Sequence, residues 1–222
     1  MLPYGYGLSY VSYEGAAQKQ LSDNLPEHIE NDEGVVKNTA VFAGKVVKPW
    51  RMFLTSNTQT SELLSNSGAL PGATYRTIDK VVQEDAFRLE TNGREKAGIS
   101  FSSSFREDLS FELEQKSALV MTLMRDSDIS GAVNIAMSCE SEGDVAGSCR
   151  AEVDIQQQLK AVPKGEWREV AIDLQCFAKS GVQLDKIVSP FELSTDGVIN
   201  LSFSDIRFMP NVFTESNECI KE

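Results

Sequence analysis

"VNIAMSCESEGDVAGSCRAEVDI", residues 133–155, is the stretch in which the fold can be read pair by pair. Val133, Ile135, Met137 and Cys139 alternate with Asn134, Ala136 and Ser138. Cys149, Ala151, Val153 and Ile155 alternate with Arg150, Glu152 and Asp154. A two-residue period puts each apolar set on one face of a strand. Folding the two runs antiparallel with Cys139 opposite Cys149 sets Met137 opposite Ala151, Ile135 opposite Val153 and Val133 opposite Ile155. Every inward residue then meets an inward partner, and a slip of one residue would undo all four pairs. "ESEGDVAGS" (140–148) closes the hairpin. The same register brings the two sulfurs within reach of a cross-strand disulfide, expected at a non-hydrogen-bonded pair.

Outward from this hairpin the chain keeps one texture. From residue 39 to about 210, short apolar runs such as "NTAVFAG", "PWRMFLTSN", "AGISFSSS" and "GVINLSFSDIRF" are separated by Gly, Asn, Asp, Ser and Pro clusters. No segment sustains a 3.6-residue period, so many short strands in an all-β sandwich or barrel are expected. Residues 14–38 are polar and acidic and read as a linker. Val170, Ile172, Leu174 and Cys176 share one parity and predict a strand through Cys176. In the last run, Ile199, Leu201 and Phe203 alternate, then Ile206 and Phe208 continue on the opposite parity. That slip at Ser204–Asp205 predicts a β-bulge. Asp205 is the one candidate cation ligand, calcium being bound by carboxylate oxygens; no other cofactor is indicated.

The remaining cysteines are Cys176 and Cys219. Pairing them staples the C-terminal tail (211–222) to the sandwich, and the favoured connectivity is 139–149 with 176–219. No Cys-x-x-Cys spacing suggests zinc. Disulfides indicate an extracytoplasmic compartment, periplasmic or secreted. Met1 is not followed by a leader-type sequence, so an exported protein would have this chain as a fragment.

Composition bounds the chemistry. The chain has 222 residues, 41% of them hydrophobic, a net charge of −12 and a single histidine, His28. An acidic surface repels phosphate backbones and anionic lipid, so neither nucleic acid nor membrane is an expected partner. A lone histidine in an acidic polar stretch argues against a His-based triad or a His-rich zinc site. No phosphate-binding Gly-rich loop or Gly-x-Ser-x-Gly elbow is present. An independent enzyme is therefore the weakest reading.

"LPYGYGLSY" (2–10) resembles the motif Phe-Pro-Phe-Gly-x-Gly-Leu-Ser-Tyr that closes the α/β sandwich domain of glycoside hydrolase family 3. Pro3, Gly5, Gly7, Leu8, Ser9 and Tyr10 match, and Tyr4 replaces an aromatic. The resemblance implies that residues 1–13 are the last strand of a preceding domain, with the catalytic residues upstream; as a severed apolar edge they are expected to be disordered, or paired with a neighbour or with the sandwich itself. "QEDAFRLE" (83–90), "GEWREVAIDLQCFAKSGVQLDKIVSPFELSTDG" (165–197) and "INLSFSDIRF" (199–208) are similar to a C-terminal extension of bacterial exo-β-glucanases of that family. This implies a galactose-binding-like jelly-roll β-sandwich over 39–210. It also implies a noncatalytic accessory role beside the parent's catalytic domains in cis, binding β-glucan or an oligosaccharide or shaping the active-site entrance. The alternative is a purely structural interdomain module. Sugar surfaces use aromatic faces flanked by polar groups, which makes Trp50, Tyr75 and Trp167 the candidates. Trp50, however, shares parity with Met52 and Leu54, as a core residue would.

Overall fold

The computed structural model describes residues 39–140 and 149–212. The expected terminal strand 1–13, linker 14–38 and most of the tail, with Cys219, lie outside the described residues.

Thirteen strands follow one another in chain order among the described residues: β1 (Thr39–Ala43), β2 (Arg51–Ser56), β3 (Thr60–Glu62), β4 (Ser67–Leu70), β5 (Ala73–Ile78), β6 (Ala86–Thr91), β7 (Ala97–Ser102), β8 (Ala118–Arg125), β9 (Val133–Cys139), β10 (Arg150–Asp154), β11 (Trp167–Asp173), β12 (Ile187–Thr195) and β13 (Asn200–Met209). Three short α-helices, α1 (Ser110–Glu114), α2 (Gln156–Ala161) and α3 (Leu174–Lys179), and one 3-10 turn (Leu184–Lys186) interrupt them. The strands form two antiparallel sheets. One has seven strands in the order β11-β8-β13-β6-β5-β4, with β1 also on β13; the other has six, β10-β9-β12-β7-β2-β3.

The sheets close on a shared core. Phe42, Phe87 and Phe203 from the first sheet meet Phe101 and Phe191 from the second, with centroid separations of 6.1 Å for Phe42–Phe101, 6.3 Å for Phe87–Phe101 and 6.1 Å for Phe191–Phe203. All but Phe42 are fully buried. Burying one such ring contributes roughly 1.5–3 kcal/mol, and edge-to-face pairing adds to it.

The 133–155 hairpin forms in the expected register: Met137 faces Ala151, Ile135 faces Val153, and the Ile155 amide donates to the Val133 carbonyl at 2.8 Å. A disulfide joins Cys139 to Cys149, with the Cα atoms 5.2 Å apart. The Cys139 amide donates to the Cys149 carbonyl at 2.8 Å, so the bridge sits at a hydrogen-bonded position rather than at the non-hydrogen-bonded one expected. Cys176 is buried and its expected partner, Cys219, is outside the described residues.

A strand through Cys176 does not form. β11 stops at Asp173, whose carboxylate accepts the Gln175 amide at 2.8 Å and caps α3. An aspartate acceptor at that position starts a helix by satisfying an amide with no intrahelical partner. Leu174 and Cys176 remain buried, presented now by a helix that buries Phe177 as well.

The expected bulge is present. In β13 the pairing with β8 shifts between Phe203 and Asp205. At the same point the opposite edge of β13 changes neighbour, from β6 up to Phe203 to β1 from Asp205 onward. Ser204 serves the junction: its carbonyl accepts the Gly44 amide and its hydroxyl accepts Lys80 Nζ at 2.9 Å.

Two buried threonines pin the turn between β12 and β13. Thr91 Oγ1 donates to the Gly197 carbonyl at 2.7 Å and accepts the Ile199 amide at 3.1 Å. Thr195 Oγ1 donates to the Ala132 carbonyl at 2.7 Å and accepts the Gly197 amide at 3.0 Å.

Candidate functional site

Strand alternation decides what the six-stranded sheet shows to solvent. Met52 and Leu54 of β2 face the core, so Arg51, Phe53 and Thr55 face out. Ladder register carries that face across the sheet. One row reads Glu62, Phe53, Ser100, Glu192, Ala136, Glu152, and the next reads Thr60, Thr55, Gly98, Ser194, Asn134, Asp154. Six strands at about 4.8 Å spacing make each row about 24 Å long.

The middle of these rows is built mostly from small residues, and a cleft of about 550 Å³ lies over them, with Phe53, Ser100, Ser194, Arg150 and Glu192 among its walls. Gly98 is the smallest member of the second row. A Cβ there would fall 1.8 Å from the Leu193 carbonyl oxygen, so only glycine lets β7 and β12 approach this closely.

Apart from Lys96 in its wall, the charges around the cleft come as pairs. At one end Arg51 Nη1 lies 3.4 Å from Glu62, while its guanidinium sits 5.4 Å from the Phe53 ring centroid and its Nη2 donates to Ser104 Oγ at 2.8 Å. At the other end Glu192 accepts from Ser138 Oγ at 2.6 Å and from Arg150 Nε at 3.0 Å, and Arg150 Nη1 reaches Glu152 at 2.8 Å. Burial works against the Arg150 charge, but the hydrogen bonds to Glu152 and Glu192 outweigh it and hold its pKa above the ordinary arginine value. Paired charges fix hydrogen-bonding directions without giving the cleft a strong net field. The Ser194 hydroxyl is buried at the wall and has no protein partner. The whole is a polar, hydrogen-bonding trough with one aromatic ring and balanced ions, which is suited to a neutral, polyhydroxylated, elongated ligand.

The aromatic residues expected at the site lie elsewhere. Trp50 and Tyr75 are 4% and 5% exposed and belong to the core. Trp50 has the inward parity of β2, and Tyr75 packs on Phe87 at 5.8 Å. Burial, aided by the nearby Glu84 carboxylate, pushes the Tyr75 phenol up to about 12. Neither ring offers a face to a ligand in this structure. Trp167 opens β11 on the seven-stranded sheet, away from the cleft, and Lys80 Nζ lies 4.8 Å from its ring centroid. Asp205, at the bulge, is ion-paired with Arg207, which also reaches Glu169 at 2.7 Å. Among the described residues no three His, Cys, Asp or Glu side chains are grouped to hold a metal ion. The residues that line the cleft carry a signal in the sequence nonetheless: the outward parity of "RMFLTS" (51–56) and "CRAEVD" (149–154) holds Phe53 and Arg150, with Arg51 and Glu152 beside them.

The family model of the Exop_C, galactose-binding domain-like group matches residues 48–208. The chain belongs to that family. Its sandwich is similar to the extra C-terminal domain (X) of the exo-1,3/1,4-β-glucanase ExoP from a Pseudoalteromonas species, with TM-score 0.62 and 15% identity over 83% of this chain and 99% of that one. Against the whole glucanase the TM-score is also 0.62, with 16% identity over 84% of this chain, but the match spans only 22% of the enzyme's length. A family 11 carbohydrate-binding module from Clostridium thermocellum, solved with a β-1,3-1,4-mixed-linked tetrasaccharide, matches with TM-score 0.51 and 11% identity over 80% of this chain and 98% of that one. At these identities the likenesses establish the shared fold. No curated protein matches the chain. Among the described residues no helix is long and apolar enough to cross a membrane.

Proposed function

We propose that this chain is the noncatalytic C-terminal accessory module of a bacterial exo-1,3/1,4-β-glucanase of glycoside hydrolase family 3, and that it holds β-glucan chains in the cleft on its six-stranded sheet. The observation that carries the reading is that cleft: Phe53 as a stacking face, the Arg150–Glu192 pair as a hydrogen-bonding wall, and the Arg51–Glu62 pair beside Phe53. Family membership supports the parentage, and so does the resemblance of residues 2–10 to the end of a family 3 sandwich domain. In this reading the catalytic domains precede the module in the same polypeptide. The Cys139–Cys149 disulfide supports residence in an oxidising compartment, periplasmic or secreted.

The test is affinity electrophoresis of the chain through gels with laminarin or mixed-linkage β-glucan, comparing the parent with Phe53→Ala. Retardation that is lost in the variant is the expected result. Migration of the parent unaffected by any glucan would sink the reading and favour a structural interdomain module. That second reading draws on one observation, the burial of Trp50 and Tyr75, which leaves Phe53 as the aromatic of the cleft.

A further inference from the structure

The loop that follows β7 contains the sequence Ser103-Ser104-Phe105-Arg106-Glu107, and its backbone and polar side chains are tied down along its length. Ser103 donates its amide to the Val188 carbonyl at 2.9 Å and its Oγ accepts the Phe105 amide at 3.1 Å. Ser104 Oγ accepts from Arg51 at 2.8 Å. Arg106 reaches Glu140 at 3.4 Å. Glu107 and Ile187 exchange both backbone hydrogen bonds, at 2.7 and 2.9 Å. The loop therefore crosses one end of the six-stranded sheet, fastened to β2, to β12 and to the residue after β9. Phe105, in its middle, is 77% exposed.

Single exposed apolar side chains are common on protein surfaces, so the position of this one at the cleft matters more than its exposure. A floppy loop would let the ring fold against the protein; this one keeps it in water. The loop also borders the cleft directly. Ser102, which precedes it, and Ser189, which follows its Val188 anchor, are both cleft residues. Arg51 links the two aromatics, since the guanidinium 5.4 Å from the Phe53 ring centroid is the one that holds Ser104.

We infer that Phe105 is a second sugar-stacking residue, placed at the lip of the cleft to extend it by one more hexose ring. This rests on the cleft reading above. The ligand class is a neutral β-linked glucan long enough to reach past Ser102, so the lip selects chains by length. With the backbone held, only two side-chain torsions of the ring remain to be ordered on binding, which makes one ring useful at an otherwise open end.

The experiment titrates the whole chain by calorimetry with a β-1,3-1,4-linked tetrasaccharide and with cellobiose. The variants are Phe105→Ala, Phe105→Trp, Phe105→Leu and Phe53→Ala, each checked for unchanged melting. Phe105→Ala should lower tetrasaccharide affinity about tenfold and leave cellobiose unchanged, a difference of about 1.4 kcal/mol. Phe105→Trp should retain the affinity and Phe105→Leu should not, because stacking needs a ring face and not merely an apolar side chain. If Phe105→Ala binds the tetrasaccharide like the parent while Phe53→Ala does not, the lip is refuted and the cleft stands. If the parent binds neither sugar, the cleft reading falls and the lip with it. If Phe105→Ala instead abolishes a concentration-dependent dimer in sedimentation, the ring serves a protein contact and the inference is overturned.

Discussion

Thr91→Val tests the packing logic at the turn that joins the two sheets. Valine keeps the shape of threonine but has no hydroxyl. In the structure that hydroxyl donates to the Gly197 carbonyl at 2.7 Å and accepts the Ile199 amide at 3.1 Å, and Thr91 is only 5% exposed. The substitution leaves both backbone groups without that partner. Each unsatisfied buried group costs roughly 1–3 kcal/mol. Local relaxation recovers part of this, so a loss of about 2–4 kcal/mol is expected. Against a total stability on the order of 5–15 kcal/mol this is a large effect. In a domain of this size it lowers Tm by about 5–15 °C. Urea denaturation followed by fluorescence gives the free energy directly. Thr91→Ser is the control: it retains both hydrogen bonds and loses one methyl, about 1 kcal/mol. If Thr91→Val lies within about 0.5 kcal/mol of the parent, or falls no lower than Thr91→Ser, the hydroxyl does not pin the turn.

Two further perturbations probe other features. Replacing both Cys139 and Cys149 by serine opens a loop whose ends are 10 residues apart in sequence. It should destabilise the chain by about 2–3 kcal/mol in the loop-entropy model, read as a lower urea midpoint. An unchanged midpoint would mean the hairpin register alone holds that edge. Asp85 supplies a pH-dependent test. Its partial burial raises the carboxyl pKa, but the backbone amides of Val82, Lys80 and Val81 that it accepts outweigh this and hold the value below the ordinary one. A folded-state value below the unfolded one stabilises the protein above the unfolded pKa, near about 4, and the contribution vanishes as pH falls through the folded value. Asp85→Asn should therefore melt below the parent at neutral pH, with the gap closing in acid; a constant gap from neutral to strongly acidic pH would contradict the assignment.

The parts of this fold that were legible in the sequence are those fixed by strand alternation. Residues 133–155 specify a register because both strands alternate and a one-residue slip would expose four apolar side chains. The bulge at Ser204–Asp205 was visible as a change of parity between Phe203 and Ile206. Trp50, Met52 and Leu54 share a parity, and all three are buried. The C-terminal end of β11 was not legible, because Leu174 and Cys176 fit a strand and a short helix equally well. The capping hydrogen bond of Asp173 decides between them, and alternation does not record it. The cleft escaped for a different reason. Tryptophan and tyrosine are by type the expected sugar-stacking aromatics, yet both Trp50 and Tyr75 satisfy the core. Phe53 is one phenylalanine among many by type and reaches the cleft through its outward parity, beside Arg51 and across from Ser100. Rows of residues from six strands share a face only after the sheet order β10-β9-β12-β7-β2-β3 is known, and no local pattern encodes that order.

The exchange of neighbours along β13 bears on how this polypeptide is made. Among the described residues β1 pairs with β13 alone, so the first strand of the sandwich waits for the last. β6 and β8, too, are joined to each other only through β13. During synthesis the ribosome must release the whole of β13, through Met209, before the seven-stranded layer can close, and until then β1, β6 and β8 carry open edges. Closure therefore comes late and joins partners far apart in the sequence, the slow kind of pairing. A premature stop before Asn200 would remove one strand and leave three others each with an unpaired edge.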